Sequence, residues 1–403
     1  MVRKSHHAAT PKTVYILGAG FARDAGFPLQ AEILPAISTI EFPLMVDAPV
    51  YYTDFETARE AVKEFLDHIF PGPSVPALED VFTLLDQTIA RRQSCKGYSW
   101  DHLDRLRSDL QRAILFLFHR ATETYSSRSD DTAEFYRRLA AYWLRRRISA
   151  GKRADPFAII VINWDCMLED TIYWCLRRTG GLRKADVDYC CYTKPLHSAD
   201  PHTPSLLQKA SGIYNLKVVK LHGSTNWLIC ANCEGLFTAL GGEHSVWEEY
   251  AMPRACPICM PKDKKWSAST EEILGSFFVS PTFVKVFDNP HINTAWHNAY
   301  MELAEAAKVV FVGYSLPTAD YHIRTLLRRA VRSDAEIVVV LARGDRPGRT
   351  VHPRLRPYFA VTRYQEFFAS RARFELDGAR SYFEPLLSRN LPRILREIRE
   401  DLH

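Results

Sequence analysis

The 403-residue sequence contains no apolar run of the roughly 18 residues that a membrane-spanning helix requires. Its first residues, MVRKSHHAATPK, lack the apolar core of a secretory signal. The sequence also contains no internal repeat and no low-complexity segment. We therefore predict that residues 1–12 form a loose tail, and that the protein is cytoplasmic with no membrane as a partner.

The excess of one charge sign over the other is also small. The 52 basic and 47 acidic residues give a net charge of +5 at pH 7, and the basic residues are spread over predicted helices. A balance of this kind lacks the concentrated basic surface that binds a phosphate backbone, so nucleic acid is disfavoured as a partner. The composition, with 47% hydrophobic residues, is typical of a globular protein with a substantial core.

The cysteines do not suggest a disulfide framework, because their number, nine, is odd. This favours a reducing compartment. Four of them form two close pairs in the pattern C-x2-C-x22-C-x2-C: Cys230, Cys233, Cys256 and Cys259. Two such pairs supply the four thiolates of a tetrahedral structural zinc site, in which no ligand position stays open for chemistry. The sequence therefore predicts one structural zinc, in a module over about residues 228–265.

A glycine turn follows the first predicted strand. The run TVYIL at 13–17 ends in Gly18-Ala19-Gly20, and Gly26 follows after five intervening residues. Strand, glycine turn and helix in this order direct backbone N–H groups at a phosphate. The spacing differs from the G-x-G-x-x-G of dinucleotide-binding domains, and no acidic residue ends a second strand about 20 residues on. A hydride-transfer domain is therefore disfavoured, and a purely structural turn stays an alternative.

Between about residues 55 and 150 the apolar residues take helical spacing. FETAREAVKEFLDHIF, ALEDVFTLLDQTIARR, WDHLDRLRSDLQRAILFLFHRATETY and DTAEFYRRLAAYWLRRR each place apolar residues at i, i+3, i+4 and i+7. We predict an all-helical insertion over this range. We also predict a C-terminal helical extension over 346–403, which includes SRNLPRILREIREDL.

Two buried strands are followed directly by polar residues. The apolar run FAIIVI at 157–162 ends in NWD at 163–165, and the strand in LKVVKLHG at 216–223 ends at His222. Open α/β sheets bind ligands at the carboxyl ends of their strands. Asp165 equally suits the cap of the helix that follows it, so both interpretations stay open.

Two later strands complete the predicted sheet. KVVFVGYSLP at 308–317 reaches Gly313 and Ser315, and EIVVVLARGD at 336–345 is the last buried strand. The ends of parallel strands lie along one edge and can converge on one crevice. The sequence thus predicts an α/β protein with a Rossmann-like, doubly wound parallel sheet, a four-cysteine zinc-ribbon subdomain and an all-helical insertion.

Taken together, these motifs resemble the sirtuin superfamily. The matching pieces occur in the order of that family and cover about residues 13–345, which we predict to form one NAD-binding domain. They are GAG at 18–20, GFP at 26–28, NWD at 163–165, LHG at 221–223, the two Cys-x-x-Cys pairs and VGYS at 312–315.

The resemblance implies that NAD is the substrate and assigns a role to each strand end. The backbone around Gly18, Ala19, Gly20 and Phe21 is expected to cradle the pyrophosphate. On the adenosine side, Gly313 and Ser315 are expected to hold a phosphate or the ribose.

The same resemblance places the reacting bond near the other two strand ends. Asp165 is expected to face the nicotinamide carboxamide, and Asn163 to position a ribose hydroxyl or the attacking water. His222 is the expected general base, because an imidazole titrates near neutrality. A structural role for His222 in the core is the alternative.

Departures from the deacylase pattern favour the bacterial sirtuin-like proteins, many of which consume NAD in anti-phage defence. Ala22 replaces the usual serine, LQA at 29–31 replaces an acidic-Phe-Arg triplet, and FFVSPTF at 277–283 has no clear counterpart of the segment that grips an acyl-lysine peptide. We therefore predict an NAD glycohydrolase that releases ADP-ribose and nicotinamide.

Three other functions are weighed against this prediction. An NAD-dependent protein deacylase requires an open peptide groove, and a non-catalytic sensor of NAD or ADP-ribose requires binding without turnover. A nucleic-acid-binding zinc ribbon is disfavoured, because the residues between the cysteine pairs include four glutamates and one arginine. The helical faces favour a homo-oligomer, and any trigger must come from self-assembly or from an unidentified activating partner.

Overall fold

The computed structural model describes residues 11–39, 51–152, 154–196, 213–238, 255–259, 274–283, 289–345 and 359–400. The strands are β1 (Thr13–Leu17), β2 (Phe157–Val161), β3 (Ala185–Asp188), β4 (Thr193–Pro195), β5 (Tyr214–Lys220), β6 (Gly223–Cys230), β7 (Leu236–Thr238), β8 (Leu274–Phe278), β9 (Lys308–Val312), β10 (Glu336–Val340) and β11 (Ala372–Glu375). The helices are α1 (Ala19–Ala22), α2 (Gln30–Thr39), α3 (Tyr51–Ile69), α4 (Leu78–Ala90), α5 (Trp100–Ser126), α6 (Asp131–Ala150), α7 (Met167–Arg178), α8 (Pro290–Glu305), α9 (Tyr321–Ala330), α10 (Ala360–Phe368) and α11 (Gly378–Glu400).

A seven-stranded parallel sheet forms the centre of the protein, in the order β11-β10-β9-β1-β2-β5-β3. Every residue of β1 and β2 is buried, because helices cover both faces of a parallel sheet. The chain leaves β1 toward β2 on one side and returns to β9 on the other, so the strand order reverses between β1 and β9. This confirms the predicted Rossmann-like, doubly wound α/β class.

The alternation of side chains along each strand separates the core into two layers. Tyr15 and Leu17 of β1 point into the layer built with α2 to α7 and α11, whereas Val14 and Ile16 point into the layer built with α8, α9 and α10. This period of two follows from the pleat of a strand.

Helices α3 to α6, all between β1 and β2 in the sequence, make up the region predicted to be helical over about residues 55–150, and α2 precedes that region. Trp143 of α6 is fully buried against Tyr15, with ring centroids 5.4 Å apart. The hydrophobic stripes read from the sequence therefore face the core, where α6 packs on the sheet and both α3 and α4 pack on α5. In the part of the chain that the structure describes, no helix is both long and apolar enough to span a membrane.

A second, smaller sheet carries the cysteine module. Its order is β4-β7-β6-β8, and β6 is antiparallel to both β7 and β8. Only His222 and the residue before it separate β5 of the main sheet from β6. The small sheet is therefore attached to the main sheet at the histidine.

Two of the predicted segment boundaries need correction. Residues 1–10 of the predicted loose tail lie outside the described residues, but Lys12 is only 7% exposed and is held by ion pairs. In the predicted helical extension over 346–403, residues 372–375 form β11, the edge strand of the main sheet. That strand is short and its residues are only partly buried, so its sequence, ARFE, carries no strong apolar pattern.

The ion pairs of Lys12 lie at the amino ends of β1 and β2. Lys12 and Lys217 both contact Asp155, at 2.6 and 2.7 Å, and both contact Glu302 at 2.6 Å. Burial acts to raise the pKa of Asp155, but the hydrogen bonds from the two lysines outweigh it and hold that pKa below its ordinary value. The carboxylate therefore stabilises the folded state when it is charged.

We expect this carboxylate to contribute to acid sensitivity. Its contribution is complete above the unfolded-state pKa of about 4 and is lost as the pH falls through the lower folded-state value. Asp155→Asn should lower the free energy of unfolding at neutral pH by about 1 kcal/mol, a modest value because Asp155 is 36% exposed. Urea unfolding between pH 7 and pH 3 should show a shallower acid decline for the variant. Asp104→Asn, at an exposed position of α5, is the control, and identical slopes for all three proteins would contradict the expectation.

Candidate functional site

The loops after β1 and β9 touch backbone to backbone at the point where the strand order reverses. The amide of Gly20 donates to the carbonyl of Gly313 at 2.9 Å. A Cβ atom on Gly18 would lie 2.4 Å from the Cα atom of Tyr314, and one on Gly313 would lie 2.2 Å from the amide nitrogen of Phe21. Gly313 also has a φ of +63°. Glycine is therefore required for this close approach.

These contacts change the expected role of the glycine turn. The amides of Gly18, Gly20 and Phe21 donate to carbonyl oxygens of the protein itself, and the Phe21 ring is buried against Tyr136. Of the four residues expected to cradle a pyrophosphate, three therefore have their N–H groups engaged. Within the described residues, the turn therefore contributes cavity space beside Ala19, and it has few N–H groups left to donate to a ligand.

A cavity of about 900 Å³ opens at the carboxyl ends of β1, β2, β5 and β9. All of the residues predicted for NAD binding and catalysis line it, except Gly18 and Phe21. The lining set comprises Ala19, Gly20, Asn163, Asp165, His222, Gly313 and Ser315. The structure thus brings together residues from four separate stretches of the sequence, and the volume lies within the range of small-molecule sites.

His222 is held rigidly at the end of β5. Its side chain is 6% exposed, and Nδ1 lies 3.1 Å from the carbonyl oxygen of Ile162. The N–H of a neutral ring is therefore assigned to Nδ1, which places the lone pair on Nε2. Trp296 of α8 packs beside the ring, and its indole N–H donates to the carbonyl of Leu221 at 2.8 Å. Both contacts fix the orientation of the imidazole.

The residues after β2 have two roles at once. The Asp165 carboxylate, one residue before the N-cap Cys166, accepts a hydrogen bond from the amide of Met167, the first residue of α7, at 3.2 Å, and it also lines the cavity. The two interpretations of the sequence are therefore compatible. Asn163 is half-buried at the cavity, and among the described residues its carboxamide has no hydrogen-bond partner. An amide of this kind can bind a ligand without first giving up an internal contact.

A buried ion pair that was not predicted from the sequence supports this loop. Lys220 of β5 and Glu169 of α7 are 0% and 1% exposed and lie 3.2 Å apart. The Lys220 ammonium also donates to the main-chain carbonyl of Asp165 at 2.5 Å. Burial acts to lower the pKa of Lys220, but Glu169 together with the neighbouring Cys166 and Asp165 outweighs it and raises that pKa. The sequence signal was a lysine that directly follows two valines at the end of β5.

Further hydrogen bonds join the loop after β2 to the first residues of β6. The amide of Thr225 and the hydroxyl of Ser224 both donate to the carbonyl oxygen of Trp164, at 2.9 and 3.3 Å. Trp164 itself packs edge-on against Phe118 of α5 and near Phe278 of β8. The loop that carries Asn163 and Asp165 is therefore fixed at several points to the start of β6, directly after His222.

The four cysteines of the two pairs meet at the end of the small sheet. All four Sγ atoms lie within 4.8 Å of one another. Cys230 and Cys259 are 3.8 Å apart, and Cys233 and Cys256 are 3.6 Å apart. Four thiolates at the corners of a tetrahedron with Zn–S bonds of about 2.3 Å would be about 3.8 Å apart. The residues therefore fit the predicted structural zinc, and the side-chain amide of Asn232 contacts Cys259 as an outer partner.

We expect metal analysis of the purified protein to find about one zinc per chain. Cys256→Ser should bring the zinc content well below one equivalent and lower the thermal midpoint, because Cys256 is fully buried in the small core around the site. Cys95→Ser, a half-buried cysteine outside the cluster, should retain the metal. Equal zinc content in the two variants would show that the cluster is not the metal site.

No protein-family model matches the sequence, and no curated protein matches it. Among solved structures, a Sir2 homologue in complex with NAD aligns with 95% of this chain and 90% of its own, at 12% identity and a TM-score of 0.40. A structure on the basis of sirtuin substrate affinity aligns with 94% of this chain and 93% of its own, at 13% identity and a TM-score of 0.40. A mutant Sir2 homologue in complex with ADP-ribose aligns with 96% and 93%, at 11% identity and a TM-score of 0.35. Overlap at TM-scores of 0.40 or below carries no information on what this chain binds.

Proposed function

We propose that the protein is an NAD glycohydrolase, which cleaves NAD to ADP-ribose and nicotinamide. The observation that carries this proposal is the convergence of Asn163, Asp165 and His222 on one cavity that also reaches Gly313 and Ser315. The cavity runs from the strand ends expected to bind the nicotinamide ribose to those expected to bind the adenosine side. The sequence motifs add anti-phage defence as the proposed biological setting.

In the proposed reaction, water attacks C1′ of the nicotinamide ribose. The bond from C1′ to the pyridine nitrogen breaks, its electron pair stays on that nitrogen, and neutral nicotinamide leaves. The transition state is oxocarbenium-like, so the site needs orientation and modest base assistance more than a strong nucleophile. Nε2 of His222 accepts the proton of the attacking water, because Nδ1 already donates to Ile162.

Asn163 and Asp165 supply orientation in this proposal. The carboxamide of Asn163 binds the water or a ribose hydroxyl. Asp165 accepts a hydrogen bond from the nicotinamide carboxamide, and its position is held by the hydrogen bond from the amide of Met167. The buried Lys220 holds the main chain of Asp165 through the hydrogen bond from its ammonium group to the Asp165 carbonyl. A preorganised site of this kind avoids reorganisation during the reaction.

The test is NAD turnover by the purified protein, with nicotinamide and ADP-ribose quantified by chromatography. Equal amounts of the two products, formed without any acylated peptide, would support the glycohydrolase. Deacylation of an acetyl-lysine peptide that depends on NAD would instead support the deacylase. Calorimetric titration with NAD on the same sample identifies the third outcome, because binding without turnover would indicate the sensor, and absence of binding would exclude NAD as the substrate.

A further inference from the structure

One wall of the cavity lies directly beside His222 and is built from residues 279–283, here called the acceptor wall. The amide of Val279 donates to the carbonyl oxygen of His222 at 2.8 Å. Three of its residues, Val279, Pro281 and Thr282, line the cavity. An acceptor that attacks C1′ from the histidine side of the substrate therefore approaches along this wall.

The main chain of the acceptor wall has few hydrogen bonds to offer a peptide. The amides of Val279, Thr282 and Phe283 donate to the carbonyl of His222, the carbonyl of Ser280 and the hydroxyl of Thr83, and Pro281 has no N–H. In the described chain this leaves at most the amide of Ser280. A peptide that binds by strand addition needs a repeating series of donors and acceptors, so this wall cannot hold one in that way.

The helical insertion holds the acceptor wall in place. The hydroxyls of Thr83 on α4 and Thr282 are 3.2 Å apart. Arg107 of α5 donates to the hydroxyl of Ser280 at 3.0 Å while Asp86 of α4 binds the same guanidinium at 2.6 Å. The two residues at these contacts are well buried, with Ser280 and Thr282 at 3% and 6% exposure, whereas Phe283 at the end of the wall is exposed. The insertion also lines the cavity itself, through the segment 75–79 that leads into α4.

We propose that the helical insertion selects the acceptor of the ADP-ribosyl group, and that it admits water and small alcohols but excludes an acyl-lysine peptide. Thr83 and Arg107 are the specificity-determining residues. With an alcohol as acceptor, its oxygen forms the bond to C1′, the bond from C1′ to nicotinamide breaks, and the alcohol proton is released. The products are an O-alkyl ADP-ribose and nicotinamide. This inference rests on the proposed glycohydrolase function.

The experiment measures products from NAD in the presence of methanol, cyclohexanol or an acetyl-lysine peptide. For the unaltered protein, the ratio of methyl ADP-ribose to ADP-ribose should rise in proportion to the methanol concentration. Cyclohexanol should give only a trace of transfer product, and the peptide should give none. Arg107→Ala should raise transfer to cyclohexanol by about 10-fold relative to hydrolysis, because the wall loses its support. Hydrolysis itself should change only a few-fold.

Arg105→Ala is the matched control, since Arg105 lies on the same helix but is 72% exposed and pairs with Asp101. Thr83→Val, which removes the hydroxyl but keeps the shape of the side chain, repeats the test if Arg107→Ala does not fold. Transfer to the peptide by the unaltered protein, or equal acceptor ratios for the Arg105 variant and both wall variants, would overturn the acceptor selection alone. Absence of nicotinamide release in every reaction would overturn the proposed function, and the acceptor selection with it.

Discussion

His222→Ala is expected to slow nicotinamide release by about 100- to 10,000-fold, the usual contribution of a positioned general base. The imidazole is 6% exposed at the cavity, and its Nδ1 is held by the carbonyl of Ile162. The substitution therefore removes Nε2 from the cavity without changing the charge of a surface group. Because the base acts on the water and not on the ground-state substrate, the loss should appear in kcat, with KM changed little.

The control for this experiment is His297→Ala. His297 lies on α8, next to the Trp296 that packs on His222, but its side chain is exposed and does not line the cavity. It should turn over NAD at the rate of the unaltered protein. Comparable losses in both variants would point to general destabilisation, and full activity of His222→Ala would assign His222 to the structural role weighed above.

Lys220→Met is expected to lower the free energy of unfolding by about 3–5 kcal/mol, as is usual when one partner of a buried ion pair is removed. The methionine side chain fills much of the lysine volume, so the loss would come from charge and hydrogen bonding more than from a cavity. Glu169, 1% exposed, would be left without its partner, and the carbonyl of Asp165 would lose a donor. Urea unfolding at neutral pH measures the change.

The double variant Lys220→Met, Glu169→Leu separates charge burial from positioning. Replacement of both charges by apolar groups should restore most of the stability, because the cost lies in an unpaired buried charge. Turnover should stay low, since the Asp165 carbonyl still has no ammonium to fix it. Lys308→Met, which removes a surface pair with Glu336, should cost about 0–1 kcal/mol. If the double variant regains turnover together with stability, Lys220 does not position the site.

The sequence and the structure agree best where a signal is contained in a single stretch. The strands β1, β2, β9 and β10 were predicted because a strand buried on both faces must be apolar throughout, and the structure has them as adjacent parallel strands. The two Cys-x-x-Cys pairs predicted a zinc site because each pair brings its own ligands close together, and the structure has the four thiols in one cluster that could hold a metal ion. Helical spacing likewise predicted the region that contains α3 to α6.

What the sequence by itself determined is therefore the class of fold, the helical region, the four cysteines that could hold a zinc and the set of strand ends that meet at the cavity. Only the tertiary structure decided the rest. Lys220 and Glu169 are 51 residues apart in the chain, and Arg107 reaches Ser280 across 173, so no local pattern records either contact. Three features depend on which distant groups become neighbours in the folded chain. They are the partner of the buried Lys220, the acceptors of the N–H groups in the glycine turn, and the contacts that support the acceptor wall.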